Sequence, residues 1–244
     1  MPPKVKKTAY FEAFLTLCVM AGGAVFTYSL VAQSPELQQK FGAIKEAQAQ
    51  NKQELAQYTW MEQDTISLKG EVKKQEHFQV RLGPDGKPQK TSLDPPAPAD
   101  AGQQGGRLKR HIVEKKKEEY KDYADQIKAL IQQYLPLDKD ALQAAYQKGS
   151  VTLGPEAGTP GQFQLVVSNY IKQGDKMTLV FSKTQKGLVS LTINSYLNDP
   201  SDAVNVNAQF SRIPDGPNHI SSQTINGVSK QLTIAVQNSN YQKT

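Results

Sequence analysis

The stretch AVNVNAQFS, Ala203 to Ser211, decides how the chain is read. Val204, Val206, Ala208 and Phe210 fall on one side of an extended backbone; Asn205, Asn207, Gln209 and Ser211 fall on the other. A two-residue period of this kind marks a strand with one buried and one wet face. The same alternation recurs upstream in Phe163, Leu165 and Val167, in Met177, Leu179 and Phe181, and in Val189, Leu191 and Ile193. It returns downstream in Leu232, Ile234 and Val236. Turn signals separate these runs: Gln173-Gly174-Asp175, Gln185-Lys186-Gly187, Asn198-Asp199-Pro200, Pro214-Asp215-Gly216 and Asn226-Gly227. Strands of this length joined by short turns make an antiparallel meander.

Working outward, Phe78, Val80 and Leu82 alternate with polar residues, and Lys69-Gly70 and Gly83-Pro84-Asp85-Gly86 are turn signals. They predict strands over 58–68, 71–82 and 86–93, with Tyr58 and Trp60 on one side of the first. Residues 94–106, DPPAPADAGQQGG, carry no apolar payload and read as a flexible connection. A helical insert spans 107–149. In 107–135, Ile112, Tyr120, Tyr123, Ile127, Leu130, Ile131 and Tyr134 form one helical stripe that Pro136 ends, and a short helix follows over 139–147. An earlier helix is expected in 33–57, where Ser34-Pro35 suits an N-terminus.

The fold class that follows is α+β. About nine strands form one antiparallel sheet, which curls into a half-barrel because a strongly twisted sheet of that size does not stay flat. Its apolar face must be covered, and the stripe of the 107–135 helix is the natural cover. Residues 58–244 then form one domain, preceded by the 33–57 helix and a leader or anchor in 1–32.

Of 244 residues, Lys and Arg number 29 against 23 Asp and Glu, giving a net charge of +6. Lys4, Lys6 and Lys7 precede a run from Ala13 to Ala32 with no charge, the pattern of a signal peptide or a retained signal anchor. As a helix, such a run is long enough to span a bilayer core. Both readings place the remainder outside the cytoplasm, in the periplasm or held at the inner membrane. Losing Lys4, Lys6, Lys7 and Glu12 with the leader lowers the charge to +4, a mild excess that does not describe a nucleic-acid binder. Leu17 before Cys18 is too large for a lipoprotein cleavage site, and a single cysteine excludes a disulfide framework.

Catalytic motifs are missing. His77, His111 and His219 are scattered, with no metal-ligand or nucleophile partner nearby in sequence, and no phosphate loop, GxSxG or HExxH occurs. No cofactor and no metal site are expected. Glu62 and Asp64 lie two apart on one strand face, a spacing that paired carboxylates use for acid–base work, although a wet strand face also carries such residues for solubility. Arg107, Lys109 and Arg110 open the long helix with positive charge, where the helix dipole disfavours it, which suits an anionic surface.

The order of elements resembles the lipoprotein-carrier (LolA/LolB-like) superfamily: a leader, a first helix, strands beginning near Tyr58-Thr59-Trp60, a helical insert and a long meander. The strings SYLNDP at 195–200, IPDG at 213–216 and NSNYQ at 238–242 are similar to recurring features of secreted bacterial proteins. The resemblance implies a cavity that shields an acyl chain or similar apolar ligand. The expected function is therefore an exported, non-enzymatic envelope protein that binds or carries a lipid-like ligand between sheet and helix. Trp60, Phe78, Val80, Tyr120, Tyr123 and Ile127 are the expected lining. The alternatives are a membrane-tethered assembly module that binds an envelope protein, and an envelope hydrolase using Glu62 and Asp64.

Overall fold

The structure is a computed structural model, and it describes residues 50–95, 107–135, 139–185 and 187–244. Among the described residues, ten strands form a single antiparallel sheet: β1 (Tyr58–Leu68), β2 (Glu71–Leu82), β3 (Pro88–Ser92), β4 (Val151–Pro155), β5 (Gln162–Ser168), β6 (Lys176–Ser182), β7 (Gly187–Tyr196), β8 (Ala203–Arg212), β9 (Asn218–Gly227) and β10 (Leu232–Lys243). Their spatial order is β3-β2-β1-β10-β9-β8-β7-β6-β5-β4. Every neighbour is sequence-adjacent except β1 and β10, which join the first hairpin set to the last strand along Tyr58↔Lys243 through Leu68↔Leu232. The sheet is curled and open. Its two ends, β3 and β4, are separate edges.

The meander follows the alternation read from sequence. In β8 and β9, Val204 stands opposite Gly227 and Val206 opposite Ile225, so apolar residues stay on the inner face from strand to strand. A one-residue slip would turn each set outward, and the buried face is what fixes the register. The tight turn after β1 uses Lys69 and Gly70 at φ 54° and 81°, the left-handed pair that matches hairpin twist.

Helix α1 (Arg107–Tyr134) supplies the cover, followed by α2 (Lys139–Gln147). Tyr123, Ala124, Ile127, Leu130, Ile131 and Tyr134 of α1 pack in one apolar group with Leu179, Ile193, Val206, Ile225 and Ile234 of the sheet. Burying a side chain such as Ile127 stabilises the fold by about 1.5–3 kcal/mol. Close approach of α1 depends on Gly227. A Cβ there would lie 2.5 Å from Tyr123 Cε1 and 2.7 Å from Ile127 Cδ1.

Two expectations need correction. The sheet has ten strands, not nine: β4 was hidden because Gly154 and Pro155 break a five-residue strand that lacks alternation. Strand β3 covers Pro88–Ser92, shorter than 86–93, because the turn at Gly83–Gly86 extends to Lys87. Of the helix expected in 33–57, helical structure is described at 50–55. The remainder of that helix, the leader or anchor in 1–32 and most of the 94–106 connection lie outside the described residues. Among the described residues no helix is long and apolar enough to cross a membrane.

Candidate functional site

The inner face is not uniformly apolar. The large group under α1 ends at Ile66 and Val236. A second, smaller group of Leu55, Trp60, Phe78, Val80 and Leu82, with Tyr58 and Tyr241 against it, occupies the β1–β3 end. The helical segment at 50–55 closes this second group. Asn51 Nδ2 donates to the Asn218 carbonyl at 2.5 Å, the Asn218 N–H donates back to Asn51 Oδ1, and Leu55 packs beneath.

Between the two groups runs a charged stripe. Strand alternation puts Trp60, Glu62, Asp64 and Ile66 of β1 on the same inner side. Glu62 and Asp64 are each only 3% exposed. This overturns the expectation of a wet strand face for the pair: the residues between them, Met61, Gln63 and Thr65, take the outer side instead. Lys90 reaches in from β3 with its side chain 9% exposed, pairs with Glu62, and donates to Asp64 Oδ2 at 3.1 Å. Its ammonium also lies 5.2 Å from the centroid of Phe78. Across the strands, Asp64 faces Glu76 of β2, which pairs with Lys74 at 2.6 Å, and Glu62 faces Asn238 of β10.

Two carboxylates therefore share one ammonium away from water. Burial is the largest influence on Asp64, the neighbouring Glu62 charge adds to it, and Lys90 opposes both; the Asp64 pKa is pushed up to about 7. Close by, Tyr241 stacks on Trp60 at 5.5 Å, and the His219 ring lies 4.0 Å from Tyr241. Burial, with the Glu62 charge second, raises the Tyr241 phenol above its ordinary range. Burial also lowers His219 to about 4, so its imidazole is neutral at physiological pH.

A different polar knot anchors α1. Tyr134 donates to Asp175 Oδ2 at 2.5 Å and lies 2.8 Å from Ser195 Oγ. The Asp175 carboxylate also accepts the backbone N–H groups of Tyr170, Ile171 and Lys172 at 2.6, 2.9 and 2.7 Å. Every polar group in it has a structural partner, so this cluster reads as a staple. Nearer the start of the helix, Tyr123 donates to Asp202 Oδ1 at 2.8 Å and accepts from Ser229 Oγ at 3.1 Å.

The residues expected to line one cavity do not come together. Trp60, Phe78 and Val80 belong to the small group, Tyr123 and Ile127 to the large one, and Tyr120 is half-buried on α1. Arg107, Lys109 and Arg110 fall in the first turns of α1, and the placement of their side chains lies outside the described residues. His77 holds Asp94: its backbone N–H donates to Oδ2 at 2.7 Å, and Nδ1 lies 2.9 Å from Oδ1. Among the described residues no group of three or more His, Cys, Asp or Glu is placed to hold a metal. Lys90, Tyr241 and His219 were missed by sequence reasoning. Lys90 lies in a short edge strand without an apolar pattern, and only the β3 register opposite Val80 brings it inward.

No protein-family model matches this sequence, and no curated protein is significantly similar to it. Among solved structures, the chain is similar to a DUF1329 family protein from Desulfovibrio piger. The similarity covers 83% of this chain and 92% of that chain, with a TM-score of 0.41 and 11% identity.

Proposed function

We propose that this protein is an extracytoplasmic binding or carrier protein, not an enzyme, whose ligand is lipid-like and lies along the inner face of the curled half-barrel, at the edge of the part that α1 roofs. One observation carries the reading: a single open sheet keeps an apolar inner face across most of its width, and one amphipathic helix roofs it. Burial of the ligand's apolar surface supplies the affinity, at about 25 cal/mol per Å² before the costs of association. The basic start at Lys4, Lys6 and Lys7, followed by the uncharged run from Ala13 to Ala32, supports the location, because together they have the form of an export leader. The state of Glu62 and Asp64, each 3% exposed and already paired with Lys90, supports a binding role over hydrolysis.

Native mass spectrometry of protein purified from its own envelope tests this. A bound lipid-like adduct that is removed by solvent extraction and regained from a membrane extract is the expected result. Recovery of no adduct from any membrane fraction overturns the reading. The same spectrum reads processing: a chain starting at Gln33 fits a free carrier, and an intact N-terminus fits a tethered one that works at the membrane surface.

A further inference from the structure

Resting on that reading, we infer that the Glu62–Asp64–Lys90 stripe is the headgroup site, and that it selects an amphiphile with a cationic, ammonium-type head.

The argument begins with charge. Two carboxylates and one ammonium leave one negative charge in excess in a place closed to water. An uncompensated buried charge is costly, so the stripe needs one further cation. The neighbouring polar atoms point to the same chemistry. Asp64 Oδ1, Asn238 Oδ1 and His219 Nδ1 are buried and have no hydrogen-bond partner. The Asn238 oxygen and the ionised Asp64 oxygen are acceptors, and Nδ1 is one in the tautomer that carries its proton on Nε2. Asn238 spends its Nδ2 on the Ile220 carbonyl, which leaves the oxygen free. The His219 imidazole is held neutral by burial, and its Nδ1 has no partner. An ammonium group brings several N–H donors and no acceptor, and so complements them. Trp60 Nε1, itself a buried donor without a partner, suits an oxygen next to the ammonium in the same head.

The rings fit as well. Trp60 and Tyr241 stack beside the carboxylates, and Phe78 already receives the Lys90 ammonium on its face. Aromatic faces next to carboxylates favour alkylammonium over anionic heads. Access is available from the free end of the sheet: Lys90 stands on β3, a five-residue edge strand paired only with β2. Short edge elements open at lower cost than the centre of a sheet.

In the ligand-free protein a proton takes the place of the cation. Asp64 holds it, facing Glu62 on its own strand, Lys90 from β3 and Glu76, itself paired with Lys74, from β2; Tyr241, against Trp60, and His219, against Tyr241, lie further along the stripe. When the ammonium head enters, Asp64 loses its proton to solvent, and the total charge of the stripe is unchanged. Binding is therefore an exchange of one cation for one proton.

The test uses three amphiphiles with one chain length: dodecylammonium, dodecanol and dodecanoate, each below its aggregation threshold, titrated calorimetrically into delipidated full-length protein. Dodecylammonium is expected to bind at least about tenfold tighter than the other two. Its binding should release about one proton at pH 6 and about half of one at pH 7, read as heat that varies with the ionisation enthalpy of the buffer. Its affinity should rise about tenfold from pH 6 to pH 8, as the competing proton leaves Asp64. In Asp64→Asn the preference and the proton release should both vanish while chain-driven binding remains. The pH series on the unaltered protein carries the test if that variant does not fold. Equal binding of all three amphiphiles overturns the headgroup inference and leaves the carrier reading standing. Binding of none overturns both. An ammonium preference that persists in Asp64→Asn, or that is independent of pH, places the head elsewhere and overturns the assignment.

Discussion

The two halves of the inner face solve the problem of burial differently. Under α1, the sheet from β5 to β10 meets the helix through apolar side chains, and the polar atoms there are closed by short, complete networks around Tyr134 and Tyr123. At the β1–β3 end a smaller apolar group adjoins three buried charges and several polar atoms without partners. Protein interiors satisfy nearly all their polar groups, so the first half is an ordinary core. The second is out of balance, and imbalance of this kind is concentrated where a protein binds or reacts. The contrast teaches where to look: the site lies at the edge of the roofed face, not beneath the middle of the helix.

The sharpest way to break the comparison is to remove the cation that Glu62 and Asp64 share. Lys90→Met leaves Glu62 and Asp64 facing each other unpaired and is expected to cost about 3–5 kcal/mol in urea unfolding. Replacing all three together, Glu62→Gln, Asp64→Asn and Lys90→Met, should restore most of that. A loss below about 1 kcal/mol for Lys90→Met would mean that the stripe is solvated, in the range of exposed pairs. In the other half, Ile127→Ala should cost about 2–5 kcal/mol by opening a cavity, with no change in the pH dependence of stability.

Titration sharpens the contrast further. Asp64 has a folded pKa raised to about 7, so its contribution is complete below its unfolded pKa and is lost as pH rises through 7. His219 has a folded pKa lowered to about 4, so its contribution is complete above its unfolded pKa near 6.5 and is lost as pH falls towards 4. Between those limits the two slopes oppose each other. Each is worth up to about 3–4 kcal/mol. Melting curves of the native protein should therefore be nearly level from about pH 4 to 6.5, fall by less than about 1 kcal/mol to pH 7, and be level above it. Asp64→Asn should expose a loss of stability on acidification, and His219→Gln a loss on raising the pH. Parallel profiles in all three proteins would show that neither group is buried as described. The smallest effect belongs to the pins of α1: Tyr123→Phe removes two hydroxyl contacts and should cost about 1 kcal/mol, measured by the same unfolding curves.

Much of the fold was legible because its signals are local and repeated. Val204 to Phe210 states the period, the Gly- and Asp-containing turns set the strand ends, and the Tyr123–Tyr134 stripe states the cover. The site was legible only in part. Trp60 and Phe78 could be chosen as large apolar residues in strands, yet their separation from Tyr123 and Ile127 depends on which strand follows which. That order turns on the β1–β10 pairing, a contact between residues far apart in sequence. Glu62 and Asp64 stood out as a pair but were read as solvated, because composition cannot say which face of a half-apolar strand is the inner one. Trp60 and Ile66 share their side and carry them inward. Lys90 gave no signal at all, since it acquires its role from a register that only the assembled sheet supplies.

The most direct measurement is a carbon-detected NMR titration of the Asp64 side-chain carboxyl in the ligand-free protein. A midpoint near pH 7, with Glu62 and Lys90 in place, is what a buried pair of carboxylates sharing one ammonium predicts. A midpoint near 4, the value of a solvated aspartate, would contradict it.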